Sequence, residues 1–150
     1  MIDIPWGVEA VYCLISPKNI NSNSLIKKIV ICSIYSKPGS KKKSLLFDHI
    51  TTTYHSLSVK YGDGLYWIIA GDTNELKLYN ILNLNSKFRQ VVEKSTRLNP
   101  PAILDPIITD LWSYYNSPVC EDSLEADDDS DVASDHFMVV MSPIDSVSNN

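Results

Sequence analysis

Two polar residues close the most apolar stretch of the chain. Residues 65–70, Leu-Tyr-Trp-Ile-Ile-Ala, run directly into Gly-Asp-Thr-Asn at residues 71–74. A short run rich in aromatic and β-branched side chains favours a strand buried on both faces. Asp72 and Asn74 are two residues apart, so an extended or turning backbone would point both side chains the same way. The pattern fits a site that holds a carboxylate beside a carboxamide. It also fits a strand end closed by ordinary turn-forming residues.

Two later segments carry residues of related chemistry. Asp105 interrupts an apolar stretch at residues 102–109, and a buried acid in such a place needs a partner. Pro106 follows it, which predicts an edge or bulged strand there. Asp135 and His136, preceded by a serine, stand directly before the last apolar strand of the chain.

Together these residues could hydrolyse a phosphodiester with the help of a metal ion. Asp135 offers the hard oxygen that Mg²⁺ prefers. A partner acid, Asp105, would hold His136 in one tautomer and in the protonated form that faces a phosphate oxygen. Asp72 could orient or deprotonate an attacking water, and Asn74 could hold that group or bind a phosphate oxygen. Each residue taken alone also fits an ordinary structural role, so the prediction depends on their joint occurrence.

A hairpin and a crossover are predicted to position these residues. Residues 8–15 and 29–35 have strand character and are joined by a polar turn, which predicts a hairpin with a long connection. Apolar residues recur from Leu46 to Tyr61 at spacings of four, four, three and four, which predicts a helix that ends at the glycines that follow. With the strand at 65–70, this segment permits a strand–helix–strand crossover. Later elements are predicted as a short helix at 75–84, strands at 88–92, 102–109 and 137–141, and an aromatic loop at 112–119.

The net charge of −5 conceals a division between one acidic segment and the rest of the chain. Seven of the eighteen acids lie between residues 121 and 131, and without them the chain has 13 basic and 11 acidic residues, a net charge of +2. So many like charges cannot pack densely, which predicts a mobile acidic loop at 121–131. Overall acidity therefore does not exclude a nucleic-acid partner, because the field depends on where the charges lie.

A block of three lysines, Lys41, Lys42 and Lys43, lies near the predicted start of the helix. The helix dipole disfavours positive charge at that end. Solvated lysines on a loop are one explanation. The other is a phosphate site, because lysines and free helix N–H groups would both attract an anion.

Length and composition predict a single globular domain. The chain has 150 residues, 44% of them hydrophobic and 21% charged, and its longest apolar run is far shorter than the ~18 residues of a membrane span. Three cysteines without metal-like or redox spacing indicate reduced structural thiols. We expect an intracellular protein, nuclear or cytoplasmic, with no membrane partner and no secretory leader.

The motifs, taken in order, resemble those of the endonuclease/exonuclease/phosphatase superfamily. They are Ser-Ile-Tyr-x-x-Pro at 33–38, Gly-Asp-x-Asn at 71–74, Thr-Arg…Leu-Asp at 96–105 and Ser-Asp-His at 134–136. The superfamily includes deoxyribonuclease I and the apurinic/apyrimidinic endonucleases. The chain is most similar to the endonuclease domains of non-LTR retrotransposons, the endonuclease–reverse transcriptase proteins. The resemblance covers about residues 8–142.

The resemblance implies a role for each candidate residue. Asp72 and Asn74 match the water-activating acid and its partner. Asp135 matches the metal-binding acid, so Mg²⁺ or Mn²⁺ is the expected cofactor. His136 matches the phosphate-binding histidine, and Asp105 matches the acid that orients it.

The implied partner is DNA. Tyr35 matches the tyrosine near the scissile phosphate, and Arg97 matches a contact to the nucleic-acid backbone. We also expect the lysines at 41, 42 and 43 to contact nucleic acid.

The implied fold is α+β, a four-layer α/β/β/α sandwich of the deoxyribonuclease I type, apparently lacking its N-terminal half. The family's early Asn and metal-binding Glu have no match here, and Glu9 lies in the wrong segment for the metal role. We therefore expect one partial domain over residues 1–150, with a core at 8–142, an acidic loop at 121–131 and a polar tail at 143–150. The missing half, or a reverse transcriptase domain, would belong to a longer protein. Thr73 replaces the family's usual Phe, which changes the packing around Asp72.

The function that follows is Mg²⁺-dependent phosphodiester hydrolysis by a retroelement-derived DNA endonuclease domain, weak or absent in the isolated chain. Two alternatives stay open. One is a non-catalytic remnant that binds nucleic acid or a partner. The other is a phosphatase of the same superfamily.

Overall fold

One five-stranded sheet and one long helix organise the described part of the chain. The computed structural model describes residues 2–18, 25–74, 76–121 and 136–144. The strands are β1 (Glu9–Ile15), β2 (Lys28–Tyr35), β3 (Leu65–Ala70), β4 (Arg89–Gln90), β5 (Arg97–Leu98), β6 (Pro101–Ala102), β7 (Ile107–Thr109), β8 (Val119–Glu121) and β9 (Met138–Val140). The helices are α1 (Lys43–Tyr61), α2 (Tyr79–Leu82) and a 3-10 turn at Trp112–Tyr114. The chain is therefore a mixed α/β protein.

The main sheet has the order β1-β2-β3-β7-β4, and two small hairpins, β5-β6 and β8-β9, accompany it. Strands β1 and β2 are antiparallel, with Glu9 opposite Tyr35, which confirms the predicted hairpin. Strands β2 and β3 are parallel, with Val30 opposite Trp67. Helix α1 connects them, which confirms the predicted strand–helix–strand segment.

The core lies between α1 and one face of this sheet. Side chains alternate across a strand, so every second residue of β2 and β3 faces the helix. The buried apolar side chains on the strands are Val30, Cys32, Ile34, Trp67, Ile69 and Ile108, and those on α1 are Leu46 and Ile50. Residues on the opposite face of the sheet, such as Ile31 and Ile68, are only half-buried.

Of the three cysteines, which the sequence predicted to be structural thiols, only Cys32 lies at the centre of this core. Cys32 is fully buried, and burial raises the pKa of its thiol to about 12. It therefore stays protonated and packs as a small apolar group. Cys13 is exposed, and Cys120 is half-buried.

The stretch at residues 102–109 is not one strand, as the sequence predicted. Its first residue belongs to the short strand β6, which pairs with β5, and its last three residues form β7. Asp105 lies in the bend between them. The break has a physical cause, because the amides of Leu104 and Asp105 donate to the Thr96 hydroxyl and Pro106 has no N–H to donate.

Four other predicted elements differ in extent, among them the strands expected at 88–92 and 137–141, which are the shorter β4 and β9. The helix expected at 75–84 is the single turn α2, although Leu76, Ile81 and Leu84 within the predicted range still pack on the core. The aromatic loop at 112–119 contains a 3-10 turn and the first residue of β8. Of the predicted acidic loop and polar tail, only residues 121, 143 and 144 lie in the described part of the chain.

One edge of the main sheet gathers the candidate residues. The parallel strands β2 and β3 both end there, at Tyr35 and Ala70. The antiparallel strand β7 begins beside them, with Ile107 opposite Ala70, and β1 begins there with Glu9. Among the described residues, no helix is long and apolar enough to cross a membrane.

Candidate functional site

A glycine lets β3 end against the backbone of β2. Gly71 has φ of 132°, and a Cβ built on it would lie 2.0 Å from the carbonyl oxygen of Ile34. Only glycine fits both the conformation and the space. The next residue, Asp72, uses its backbone carbonyl to accept a hydrogen bond from the Ser36 amide at 2.8 Å. The turn that carries Asp72 is thus fixed to the end of β2.

Asp72 and Asn74 form one hydrogen-bonded unit. Asp72 Oδ1 accepts from the Asn74 backbone amide at 3.1 Å and from Asn74 Nδ2 at 2.6 Å. The same Nδ2 donates to the Ser36 carbonyl at 3.0 Å. Asn74 has φ of 43°, a left-handed conformation that asparagine tolerates better than most residues. These bonds hold one carboxylate oxygen of Asp72, and Oδ2 receives no hydrogen bond from the described part of the chain.

Thr73 joins this turn to the segment that carries Asp105. It is 2% exposed, and both its amide and its hydroxyl donate to the Leu104 carbonyl, at 2.7 and 3.0 Å. The sequence predicted only a change of packing at this position. Its function as a polar joint requires Leu104 to lie opposite, which the sequence does not show.

Thr96 is a second joint that sequence reasoning missed. It is fully buried, and its hydroxyl accepts from the amides of Leu104 and Asp105 at 2.9 and 3.0 Å. Its carbonyl accepts from the Phe137 amide at 2.8 Å. The residue therefore holds the Asp105 bend and the His136 segment against each other.

Asp105 and His136 are in hydrogen-bond contact, with Nδ1 of the imidazole 2.8 Å from Oδ2 of the carboxylate. The side chains are 23% and 29% exposed, so the pair lies at the surface of the site. The carboxylate accepts a hydrogen bond from Nδ1–H, which fixes the orientation of the ring. Asp105 can therefore position His136.

Arg97 lies beside this pair through its backbone, which forms an isolated β-bridge with His136. Its Nε donates to the Pro100 carbonyl at 3.3 Å within its own hairpin. The structure thus brings Arg97 to the histidine.

Tyr35 and the three lysines share one cavity of about 330 Å³ at the same sheet edge. Tyr35 is 40% exposed at the end of β2. Lys41 and Lys42 are exposed and Lys43 is half-buried. The Lys42 ammonium lies 3.9 Å from the ring centroid of Trp6. The predicted lysine block is therefore next to Tyr35 and not on a remote loop.

The expected metal ligand, Asp135, lies outside the described residues. Among residues 2–18, 25–74, 76–121 and 136–144, no group of three or more His, Cys, Asp or Glu side chains is placed to hold a metal ion. Mg²⁺ in proteins often has only one or two carboxylate ligands and keeps several waters. By residue type, Asp135 supplies the hard carboxylate oxygen that such an ion prefers, so it fits the expected role of metal ligand.

A buried acid that the sequence reasoning did not single out lies elsewhere along β3. Asp110 Oδ1 accepts from the Trp67 backbone amide at 2.8 Å, and Oδ2 accepts from Asn85 Nδ2 at 3.4 Å. Burial raises the pKa of Asp110, and the Trp67 hydrogen bond opposes that shift. Its partners are structural, so it is separate from the candidate site.

A scan against protein-family models found no match. A search of curated proteins found none either.

Proposed function

We propose that the chain is a member of the endonuclease/exonuclease/phosphatase superfamily and carries part of a Mg²⁺-dependent DNA endonuclease site of retroelement type. The sequence motifs named above support the family. The geometry supports the chemistry, because the residues that the motifs pair in function are paired by hydrogen bonds.

The observation that carries the proposal is the contact between Asp105 and His136. The two residues are 31 positions apart, yet Oδ2 and Nδ1 lie 2.8 Å from each other. An acid that orients a histidine is a recurring arrangement where a ring nitrogen must face a substrate. Thr73 and Leu104 connect the Asp72–Asn74 turn to the same segment. The Asp72–Asn74 pair and the Asp105–His136 pair are therefore both attached to the segment at residues 104–105.

Each described residue has a definite task under this proposal. Asp72 Oδ2 accepts the proton of the attacking water, while Asn74 holds Oδ1 in place. The water oxygen bonds to phosphorus as one P–O bond to a sugar oxygen breaks, and that leaving oxygen takes a proton from solvent water. Asp105 orients His136, whose ring, protonated on both nitrogens as expected from the sequence, donates from Nε2 to a non-bridging oxygen of the phosphate. Tyr35 contacts the same phosphate from the end of β2.

A divalent cation held by Asp135 would neutralise phosphate charge when bound. Mg²⁺ or Mn²⁺ is the proposed ion. The proposed partner is DNA, contacted by Arg97 and the lysine block. The proposed full fold is the four-layer sandwich, in which a second sheet covers the half-buried face of the main sheet.

Nicking of supercoiled plasmid tests this function. We expect slow, Mg²⁺-dependent relaxation of the plasmid that EDTA abolishes. His136→Ala and Asp72→Ala should each slow nicking by about 10²- to 10⁴-fold, the usual contribution of a group that accepts or donates a proton in the reaction. His55→Ala is the matched control, since His55 is exposed on α1 and its ring contacts that of Tyr54.

Three outcomes separate the proposal from its alternatives. Nicking that persists in both variants would contradict it. DNA binding without nicking, unchanged in His136→Ala, would favour a non-catalytic remnant. Hydrolysis of small phosphate esters without nicking would favour a phosphatase.

A further inference from the structure

The cavity at the start of α1 has features that the proposed chemistry does not use. It is lined by Tyr35, Ser36, Lys37 and the three lysines at 41–43, with Glu9 as its acidic member. The lining therefore contains four lysines and one carboxylate. The positive charge of the cavity would attract an anion.

The first turn of a long helix lies beside this cavity, which Lys43 and Leu46 help to line. Helix α1 has 19 residues, and no side chain caps its first turn. The first intrahelical hydrogen bond joins the Leu46 amide to the Lys42 carbonyl at 3.1 Å. The amides of Ser44 and Leu45 precede that bond, so they have no partner within the helix. Such amides and the helix dipole together favour a bound anion.

Ser36 supplies an independent sign of a ligand. Its side chain is 3% exposed, and its Oγ has no hydrogen-bond partner among the described residues although the residue lines the cavity. Buried hydroxyl groups are normally hydrogen-bonded. An anion in the cavity would accept the missing bond.

The backbone of Ser36 also connects the cavity to the candidate site. Its amide donates to the Asp72 carbonyl, and its carbonyl accepts from Asn74 Nδ2. A ligand bound at the Ser36 hydroxyl would therefore lie next to the turn that carries the proposed water-activating acid.

We propose that this cavity binds a second phosphate of a nucleic-acid backbone, adjacent to the phosphate that is cut. We call it the phosphate seat, formed by Ser36, Lys37, Lys41, Lys42 and the first amides of α1. The identity of the anion rests on the proposed function, and its binding does not. A seat for a second phosphate selects a polymer, since a lone phosphomonoester has no group to fill it.

Titration with inorganic phosphate in EDTA tests the seat without any catalysis. In ¹H–¹⁵N spectra of the full chain, we expect the amides of Ser36, Ser44 and Leu45 to shift together. Ser36→Ala should weaken phosphate binding about tenfold, the effect of one hydrogen bond to a charged group. Ser56→Ala, an exposed hydroxyl on the same helix, should bind phosphate like the wild type.

Thermal unfolding of the free protein distinguishes binding from folding. Ser36→Ala should keep or raise the melting temperature, because it removes a hydroxyl that has no partner. The proposed phosphate seat would be refuted if Ser36→Ala and the wild type bound phosphate with equal affinity. It would also be refuted if the amide signals of the first turn of α1 did not shift on addition of phosphate.

Salt dependence of duplex DNA binding, again in EDTA, tests the nature of the ligand. When log affinity is plotted against log salt concentration, loss of one phosphate contact should make the negative slope shallower by about 0.9. We expect this for Lys41→Ala and no change for Lys60→Ala, an exposed lysine at the far end of α1. Equal slopes would refute a nucleic-acid phosphate as the ligand, whereas absent nicking would count against the catalytic proposal alone.

Discussion

Replacement of Thr96 by valine removes the hydroxyl that fixes the Asp105 bend. Valine keeps the size and branching of threonine, so the fully buried position stays filled. The amides of Leu104 and Asp105 then lose their common acceptor, which lies 2.9 and 3.0 Å away. The variant therefore measures how strongly one oxygen holds the segment that orients His136.

The cost follows from burial. An unsatisfied buried donor costs about 1–3 kcal/mol, and the Leu104 amide is the more deeply buried of the two. Water can reach the Asp105 amide more easily, because that residue is half-buried. We expect Thr96→Val to lower the free energy of unfolding by about 2–4 kcal/mol, a large part of the 5–15 kcal/mol typical of a domain.

Two matched variants make this prediction sharp in urea denaturation. Thr96→Ser keeps the oxygen and loses one methyl group, so it should cost about 1 kcal/mol. Thr73→Val should also cost about 1 kcal/mol, because the Leu104 carbonyl keeps its bond from the Thr73 amide. If the free energies of unfolding of Thr96→Val and Thr96→Ser differed by less than about 0.5 kcal/mol, the reasoning would be refuted.

Three further predictions concern stability. Gly71→Ala should cost more than about 2 kcal/mol in urea denaturation, since its Cβ would meet a β2 carbonyl, whereas Gly39→Ala has open space and should cost less. Asp110→Ala should cost about 1–3 kcal/mol because it leaves the Trp67 amide unpaired, and Asp110→Asn should restore most of that loss. Burial lowers the pKa of His49 from its ordinary value of 6.5, so the unfolded chain binds this proton more readily. Stability from His49 is therefore present above pH 6.5 and lost as the pH falls below it, by up to about 1.4 kcal/mol per pH unit, and thermal unfolding of His49→Gln should show a flatter pH profile.

Local pattern was sufficient for β1, β2, β3 and the long helix. Long periodic segments, such as β1, β2 and α1, carry enough apolar positions to define which face is buried. The strand that ends at Gly71 was also predictable, because an aromatic and β-branched run has few other structures open to it. The pairing of Asp105 with His136 was implied by the resemblance of the ordered motifs and not by local pattern, and the two side chains lie 2.8 Å apart.

The polar joints could not be predicted, because they depend on residues far apart in sequence. Thr73 reaches Leu104 across 31 positions, and Thr96 reaches it across eight. A threonine carries no local signal of which carbonyl or amide it will meet. The break between β6 and β7 was missed for the same reason, since the Thr96 hydroxyl takes the amides that would have continued the strand.

The most direct test of the account is whether Asp72 and His136 act as one unit in the nicking of plasmid DNA. Groups that work in one step are not additive, so Asp72→Ala, His136→Ala and the double variant should fall to the same residual rate. Losses that multiply in the double variant, or single variants that nick like the wild type, would contradict a shared site.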